Sequence, residues 1–249
     1  MRVDGPGEGG GLVTPETVTA RLAAMTNSTE VLARADGVLG EIVLRRRHPG
    51  TGPAVYELIV NGVFLMDTAE TTTEELLAEL VLAHQPPPAR ILVGGLGLGR
   101  TLLRLVADPR PHQIDVVEIE PQLVDWLRAG LVPGVDAALA DPRVRVLVAD
   151  VADVLTTPPH RYDAVVLDVD NGPDFLVADR NAALYQAPTL ARAAQAVRPG
   201  GQLLVWSADS APRLQAELAR QVGPVRRVVR TVTRQGRQID YYLYLAARV

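Results

Sequence analysis

Short unbroken apolar runs alternating with helix-like segments constrain this chain more than any other feature. From Arg90 onward the runs are Ile91–Val93, Ile114–Ile119, Val144–Val148, Ala164–Leu167 and Gln202–Trp206. Strands that are apolar on both sides are buried on both sides, which requires a parallel sheet covered by helices on each face. A helix is predicted to open at Arg100, another to cover about Pro121–Ala129, and a third Pro188–Val197, with proline in its first turn. The tail of the chain breaks this pattern. Val225–Val232 and Ile239–Ala246 alternate like strands around a polar turn at Gln235-Gly236, with no helix between them. The sheet is therefore expected to end in an antiparallel hairpin.

The first third reads differently. Residues 1–12 are rich in glycine and read as a disordered tail. Thr14-Pro15 predicts a short helix over Pro15–Met25. Gly40–Arg46, Ala54–Val60 and Val63–Met66 are β-like, and Asn61-Gly62 is a strong hairpin signal between the last two. Thr72-Thr73-Glu74-Glu75 reads as a capping box ahead of an apolar helix, which Gln85-Pro86-Pro87-Pro88 ends. The expected organisation is a tail over 1–12, a small helix and β-hairpin unit over 13–88, and a Rossmann-like cofactor-binding domain over 89–249. The fold class is α/β.

Composition removes much chemistry. All 25 basic residues are arginine, so no lysine is present for a Schiff base or a phosphate-binding loop. With 0 Cys there is no thiolate nucleophile, and the 4 His show no metal-ligand spacing. No metal site is expected. A net charge of −4 argues against nucleic acid or an anionic membrane as partner. Arg226, Arg227, Arg230, Arg234 and Arg237 on the terminal hairpin read as a solvated strand face. No apolar run approaches the ~20 residues of a spanning helix and no signal peptide opens the chain, so the expected location is cytoplasmic.

The remaining chemistry gathers at strand ends, where open α/β sheets bind ligands. Gly95, Gly97 and Gly99 follow the first strand of the alternating region, a spacing that matches neither a dinucleotide fingerprint nor a phosphate loop. Such glycines let backbone approach a ligand, and they also serve packing alone. Glu118 ends the next strand, where an acid can accept ribose hydroxyls. Asp150 follows the third, placed either to accept an adenine amine or to cap a helix. Asp168 opens the turn Asp168–Pro173 after the fourth. In this order the four describe a pocket for an adenosine-containing ligand without phosphates.

From about Gly40 to Val249 the chain resembles the spermidine synthase family, within the class I S-adenosylmethionine-dependent transferases. Ile91–Gly99 resembles the family's glycine loop and Val117-Glu118-Ile119-Glu120 its ribose-binding segment. Asp141-Pro142-Arg143-Val144 through Asp150 resembles its adenine-binding strand, and Tyr162–Asp168 the strand carrying its catalytic aspartate. Arg198-Pro199-Gly200-Gly201 matches the turn before strand five, and Ile59–Met66 and Glu70–Leu80 resemble the N-terminal hairpin and helix.

The resemblance implies S-adenosylmethionine or its decarboxylated form as donor and a small, amine-type acceptor. Gly95, Gly97, Gly99, Glu118, Asp150 and Asp168 are the implied donor-binding residues. Asp168 is the candidate base, with Asp170 as alternative, and Asn171 or the Gly172 backbone holds the acceptor. Glu74, Trp206 and Asp240 are the implied substrate contacts, with Tyr185 and Asp209 as further candidates. A homodimer through the N-terminal hairpin is also implied.

The departures matter. The family acid that holds the donor's amine is read here as Leu98, and a family glutamine after strand five as Trp206. Without that acid the site suits the carboxylated donor, with Arg100 placed to assist its tail. Methyl transfer is therefore the leading expectation. Aminopropyl transfer to a diamine and a degenerate adenosyl-binding protein are the alternatives.

Overall fold

Two sheets share one hydrophobic layer. The structure, a computed structural model, describes residues 27–50, 52–84, 89–156, 162–169, 172–173, 179–234 and 236–249. The expected tail over 1–12, the helix over Pro15–Met25 and the boundary at Gln85–Pro88 lie outside the described residues.

β1 (Asn27–Gly37), β2 (Gly40–Pro49), β3 (Val55–Val60) and β4 (Val63–Asp67) form a four-stranded antiparallel sheet in that order. Val60 pairs with Val63 across the expected two-residue turn, with Asn61 at φ 51 and Gly62 at φ 75. Both angles are positive, as this tight turn requires. β1 has no clear pattern of its own and was not expected as a strand. It forms because β2 pairs with it from Asn27↔Pro49 to Gly37↔Gly40, the kind of context that overrides propensity.

α1 (Thr72–His84) follows. Its cap lies one residue ahead of the expected one. The Thr71 hydroxyl donates to the Glu75 carboxylate (2.8 Å), and Glu70 accepts the Thr72 amide (2.9 Å).

The larger sheet has seven strands in the order β10-β11-β9-β8-β5-β6-β7. These are β5 (Ala89–Gly94), β6 (Pro111–Glu118), β7 (Val144–Val148), β8 (Tyr162–Leu167), β9 (Val197–Ser207), β10 (Val225–Arg234) and β11 (Arg237–Ala247). β5 to β9 pair in parallel, and β11 returns antiparallel between β9 and β10. The Rossmann-like sheet with a terminal antiparallel hairpin is thus as expected.

Helices α2 (Arg100–Val106), α3 (Pro121–Arg128), α4 (Val135–Leu139), α5 (Val151–Val154), α6 (Ala187–Ala196) and α7 (Pro212–Gln221) connect the strands, with a 3-10 segment at Asp179–Tyr185. α7 was not anticipated. It buries only Leu214 and Leu218, too narrow an apolar stripe to stand out in sequence.

Strand alternation sorts the core into two layers. Ile91 and Val93 of β5 face one layer with Leu77 of α1, Leu102 and Leu105 of α2, and Ile42, Leu44 and Leu58 of the small sheet. Leu92 faces the other, with Leu190 of α6 and Leu218 of α7. Each of these side chains is nearly fully buried, a contribution of about 1.5–3 kcal/mol apiece.

A second device ties the small sheet to the large one. The Glu120 carboxylate, just after β6, accepts the amides of Val38 (2.8 Å) and Leu39 (2.6 Å) in the β1–β2 turn. The Asn61 side chain grips the same turn, donating to the Leu39 carbonyl (2.6 Å) and accepting from the Glu41 amide (3.0 Å).

β5 and β8 lie side by side, yet the chain leaves β5 toward β6 and β7 and leaves β8 toward β9. This reversal of strand order opens a crevice at the carboxyl ends of β5 and β8.

Candidate active site

A cavity of about 240 Å³ fills that crevice and extends under the small sheet. Its floor is the loop after β5. Gly95 has φ +92, and a side chain there would place Cβ 2.0 Å from the Asp168 carbonyl oxygen. Only glycine lets the two strand ends approach so closely. Gly97 lines the cavity beneath Met66, while Gly99 lies outside it, packed on Val135 at the start of α2.

The loop also explains Glu118. Its buried carboxylate accepts the Leu96 amide (2.8 Å) through one oxygen and the Glu120 amide (2.9 Å) through the other. Burial pushes its pKa up, and these amides pull it back. Asp150 lines the cavity and also caps α5, accepting the Ala152 amide at 2.9 Å. The capping reading of Asp150 is thus what the structure shows, on a residue that also borders the cavity.

Asp168 stands where β8 ends. It lines the cavity and is half-buried. Burial, reinforced by Glu74, pushes its pKa up to about 7, and a 3.2 Å hydrogen bond from the Thr101 hydroxyl opposes the rise. Glu74, on the first turn of α1, is itself buried and raised, although the Thr73 hydroxyl donates to it at 2.6 Å. Two neighbouring acids cannot both hold a charge cheaply, so the protonated form of each is favoured here.

The opposite wall is aromatic. Trp206 stacks on Tyr241 with ring centroids 5.3 Å apart. Arg234 lies over the Phe64 ring at 5.4 Å and pairs with Asp67 at 3.0 Å.

The structure therefore brings together Gly95, Gly97, Glu118, Asp150, Asp168, Glu74 and Trp206. Asp170 and Asn171 lie outside the described residues. Asp240 does not reach the cavity. Side chains alternate along β11, so Tyr241 faces inward and Asp240 outward, where it accepts the Thr231 hydroxyl at 2.6 Å. Tyr185 packs in the other core layer, and Asp209 is exposed.

Two expectations are corrected. Leu98 does not face a donor's tail: its side chain is fully buried in the core, and Leu96 and Gly97 are the loop residues on the cavity. Arg234 is not part of a solvated face: it is the last residue of β10 and reaches back to Asp67, 167 positions earlier. Arg100 does line the cavity, paired with Glu75 at 2.8 Å.

At the ends of β5, β6 and β7 the carboxyl groups of Glu118 and Asp150 thus stand beside the glycine loop. Among the described residues no cluster of His, Asp and Glu could hold a metal ion. No helix among them is long and apolar enough to cross a membrane.

The spermine/spermidine synthase domain matches residues 70–241, well over half of the chain. The chain belongs to that family. A spermidine synthase of Coffea arabica is 32% identical over 148 residues, 58% of this chain and 44% of the relative. Putrescine N-methyltransferase 3 of Nicotiana tabacum is 34% identical over 128 residues, 51% of this chain and 32% of the relative. The chain thus spans less than half the length of either relative.

The spermidine synthase of Thermotoga maritima superimposes with a TM-score of 0.73 at 15% identity, over 88% of this chain and 73% of that one. A spermidine synthase in complex with the transition-state analogue AdoDATO gives 0.74 at 15% identity, over 88% and 74%. The fold is that of the class I methyltransferases with an N-terminal β sheet, as expected.

The family match begins at Glu70, so α1 with Glu74, the glycine loop and all three acid-bearing strand ends fall inside it. β1 to β4 and their clamp to Glu120 precede or bridge it.

Proposed function

We propose that this chain transfers a methyl group from S-adenosylmethionine to a small amine. The observation that carries the reading is the pair of buried acids, Asp168 and Glu74, beside a glycine loop that presents no carboxylate to the cavity.

The donor supplies an electrophilic carbon on a sulfonium. Glu118 is placed to accept ribose hydroxyls and Asp150 an adenine amine. Arg100 lines the cavity beside the glycine loop, and its guanidinium would meet the carboxylate of a methionine tail. Asp168 then works on the acceptor. An amine is a nucleophile only when neutral, and a carboxylate raised to about 7 takes a proton from an ammonium far better than an ordinary one. The Thr101 hydroxyl holds that carboxylate in place. As the nitrogen lone pair forms the new C–N bond, the C–S electrons pass to sulfur and the ammonium proton ends on Asp168. Most of the remaining rate comes from alignment of nitrogen, carbon and sulfur.

A second reading has its own support. Glu70, Glu74 and Asp168 all line the cavity, and gathered acids suit the cationic partners of aminopropyl transfer from the decarboxylated donor. Incubation with each donor, labelled on the group to be transferred, tests both. Methyl incorporation from S-adenosylmethionine into an amine is the expected result. Turnover of the decarboxylated donor alone would overturn the methyl reading in favour of the second.

A further inference from the structure

The wall of the cavity farthest from the glycine loop is built from β4, β9, β10 and β11, and its charges are already matched within the fold. Asp67, at the end of β4, accepts the Ala69 amide (3.0 Å), the Glu70 amide (3.1 Å) and the Arg234 guanidinium (3.0 Å) through one oxygen. Glu70 accepts the Thr72 amide (2.9 Å) and the Thr72 hydroxyl. Its charge therefore sits at the start of α1, where a helix N-terminus offsets it.

Arg234 is thus a cation that the chain itself supplies to an acidic wall. It lies over the Phe64 ring, and both residues line the cavity. Its charge also reaches Glu74: burial pushes that carboxyl up, and the Thr73 hydroxyl and Arg234 pull it down.

Glu74 and Asp168 are left to meet an acceptor. Each is held toward its protonated form by the other and by burial, so the pair suits one ammonium rather than two. Beyond them the wall is carbon, from Phe64, Met66 and the Trp206–Tyr241 stack. A second ammonium placed there would cross aromatic surface, face the Arg234 guanidinium and find Asp67 already taken.

We propose that Arg234 sets the acceptor class: it stands where a second ammonium would go, so the acceptor is a small amine with one positive charge and an apolar body. The amine lies toward Glu74 and Asp168, and the body lies against Phe64 and the Trp206–Tyr241 stack. This rests on the transferase reading above and names the acceptor class for it.

Calorimetry on the full chain saturated with S-adenosylhomocysteine tests it. The probes are n-pentylamine and putrescine, which match in length and differ in the second ammonium. n-Pentylamine should bind about tenfold or more tighter. Arg234→Gln removes the cation and frees Asp67. It should tighten putrescine by about tenfold and change n-pentylamine by less than about threefold. Arg234→Lys keeps the charge and should keep the wild-type preference. Putrescine binding the wild-type chain as tightly as n-pentylamine overturns the inference. So does an Arg234→Gln chain in which the ratio of the two affinities is unchanged, because apolar surface alone would then account for the preference. Loss of S-adenosylhomocysteine from Arg234→Gln overturns it too, since the arginine would then serve the donor. If Arg234→Gln does not fold, Arg234→Met takes its place under the same expectations, and if both fail the wild-type ratio decides alone. Binding of neither amine also overturns the inference. A wild-type chain that binds no S-adenosylhomocysteine removes the transferase reading itself, which is a different failure.

Discussion

The two ends of the cavity are made in different ways. The end over β5, β6 and β7 is a backbone product: a left-handed glycine at Gly95, the Leu96 and Glu120 amides on Glu118, and a capping aspartate at Asp150. Every part belongs to a strand end or the turn after it. The other end is a side-chain product, assembled from Phe64, Trp206, Arg234 and Tyr241 on four different strands. Backbone-built sites tolerate few substitutions and hold what is common to many ligands. Side-chain walls change cheaply, and specificity resides there. Asp168 lies between the two, fixed by the end of β8 and tuned by Glu74 of α1.

The sharpest way to break this division is Asp168→Asn. Turnover should fall by about 10²–10⁴-fold while affinity for S-adenosylhomocysteine stays near wild type. A parallel loss of affinity would put Asp168 at the donor end instead.

The same group sets two opposite pH trends. On the proposed mechanism turnover requires the carboxylate, so it should rise as pH increases through about 7 and level off above it. Stability runs the other way. The folded pKa is raised from 3.8 to about 7, so the protonated form favours the fold, and this support is full below about 4 and lost by about 7. Asp168→Asn stays neutral, so its melting temperature relative to wild type should be higher at pH 8 than at pH 4. An equal difference at both pH values would place the carboxyl in a wetter setting.

Gly95→Ala probes the backbone end. Its Cβ would meet the Asp168 carbonyl oxygen at 2.0 Å in a left-handed conformation, so a loss of about 1–3 kcal/mol in denaturant unfolding is expected. The smallest effect should come from Asp240→Ala. The residue is exposed and, among the described residues, accepts a hydrogen bond from Thr231 across the strands, so stability should move by less than about 0.5 kcal/mol and activity not at all. A marked loss of activity would mean that the outer face of β11 belongs to the site.

What could be read in advance follows the same line. The sheet, its terminal hairpin and the four strand ends rest on local pattern, and local pattern is visible. Asn61-Gly62 is a turn whatever surrounds it. Arg234 looks like its solvated neighbours on β10, because the partner that draws it inward, Asp67, is far away in sequence. Leu98 was misplaced for a related reason. Alternation of small and large residues in a glycine loop does not say which side chain faces the core. The clamp of Glu120 on Val38 and Leu39 has no local sequence signature, because its partners lie more than eighty residues upstream.

That clamp has a consequence for how occupancy is felt at a distance. Glu118 and Glu120 share one short segment, and the Glu120 amide rests on the Glu118 carboxylate. A molecule that grips Glu118 therefore steadies the same loop that holds Val38 and Leu39. By linkage, about 2.7 kcal/mol of protection becomes available at a hundredfold excess over the dissociation constant. The amide hydrogens of a turn more than eighty residues upstream thus become a gauge of the Glu118 end of the cavity, slowing their exchange as it fills.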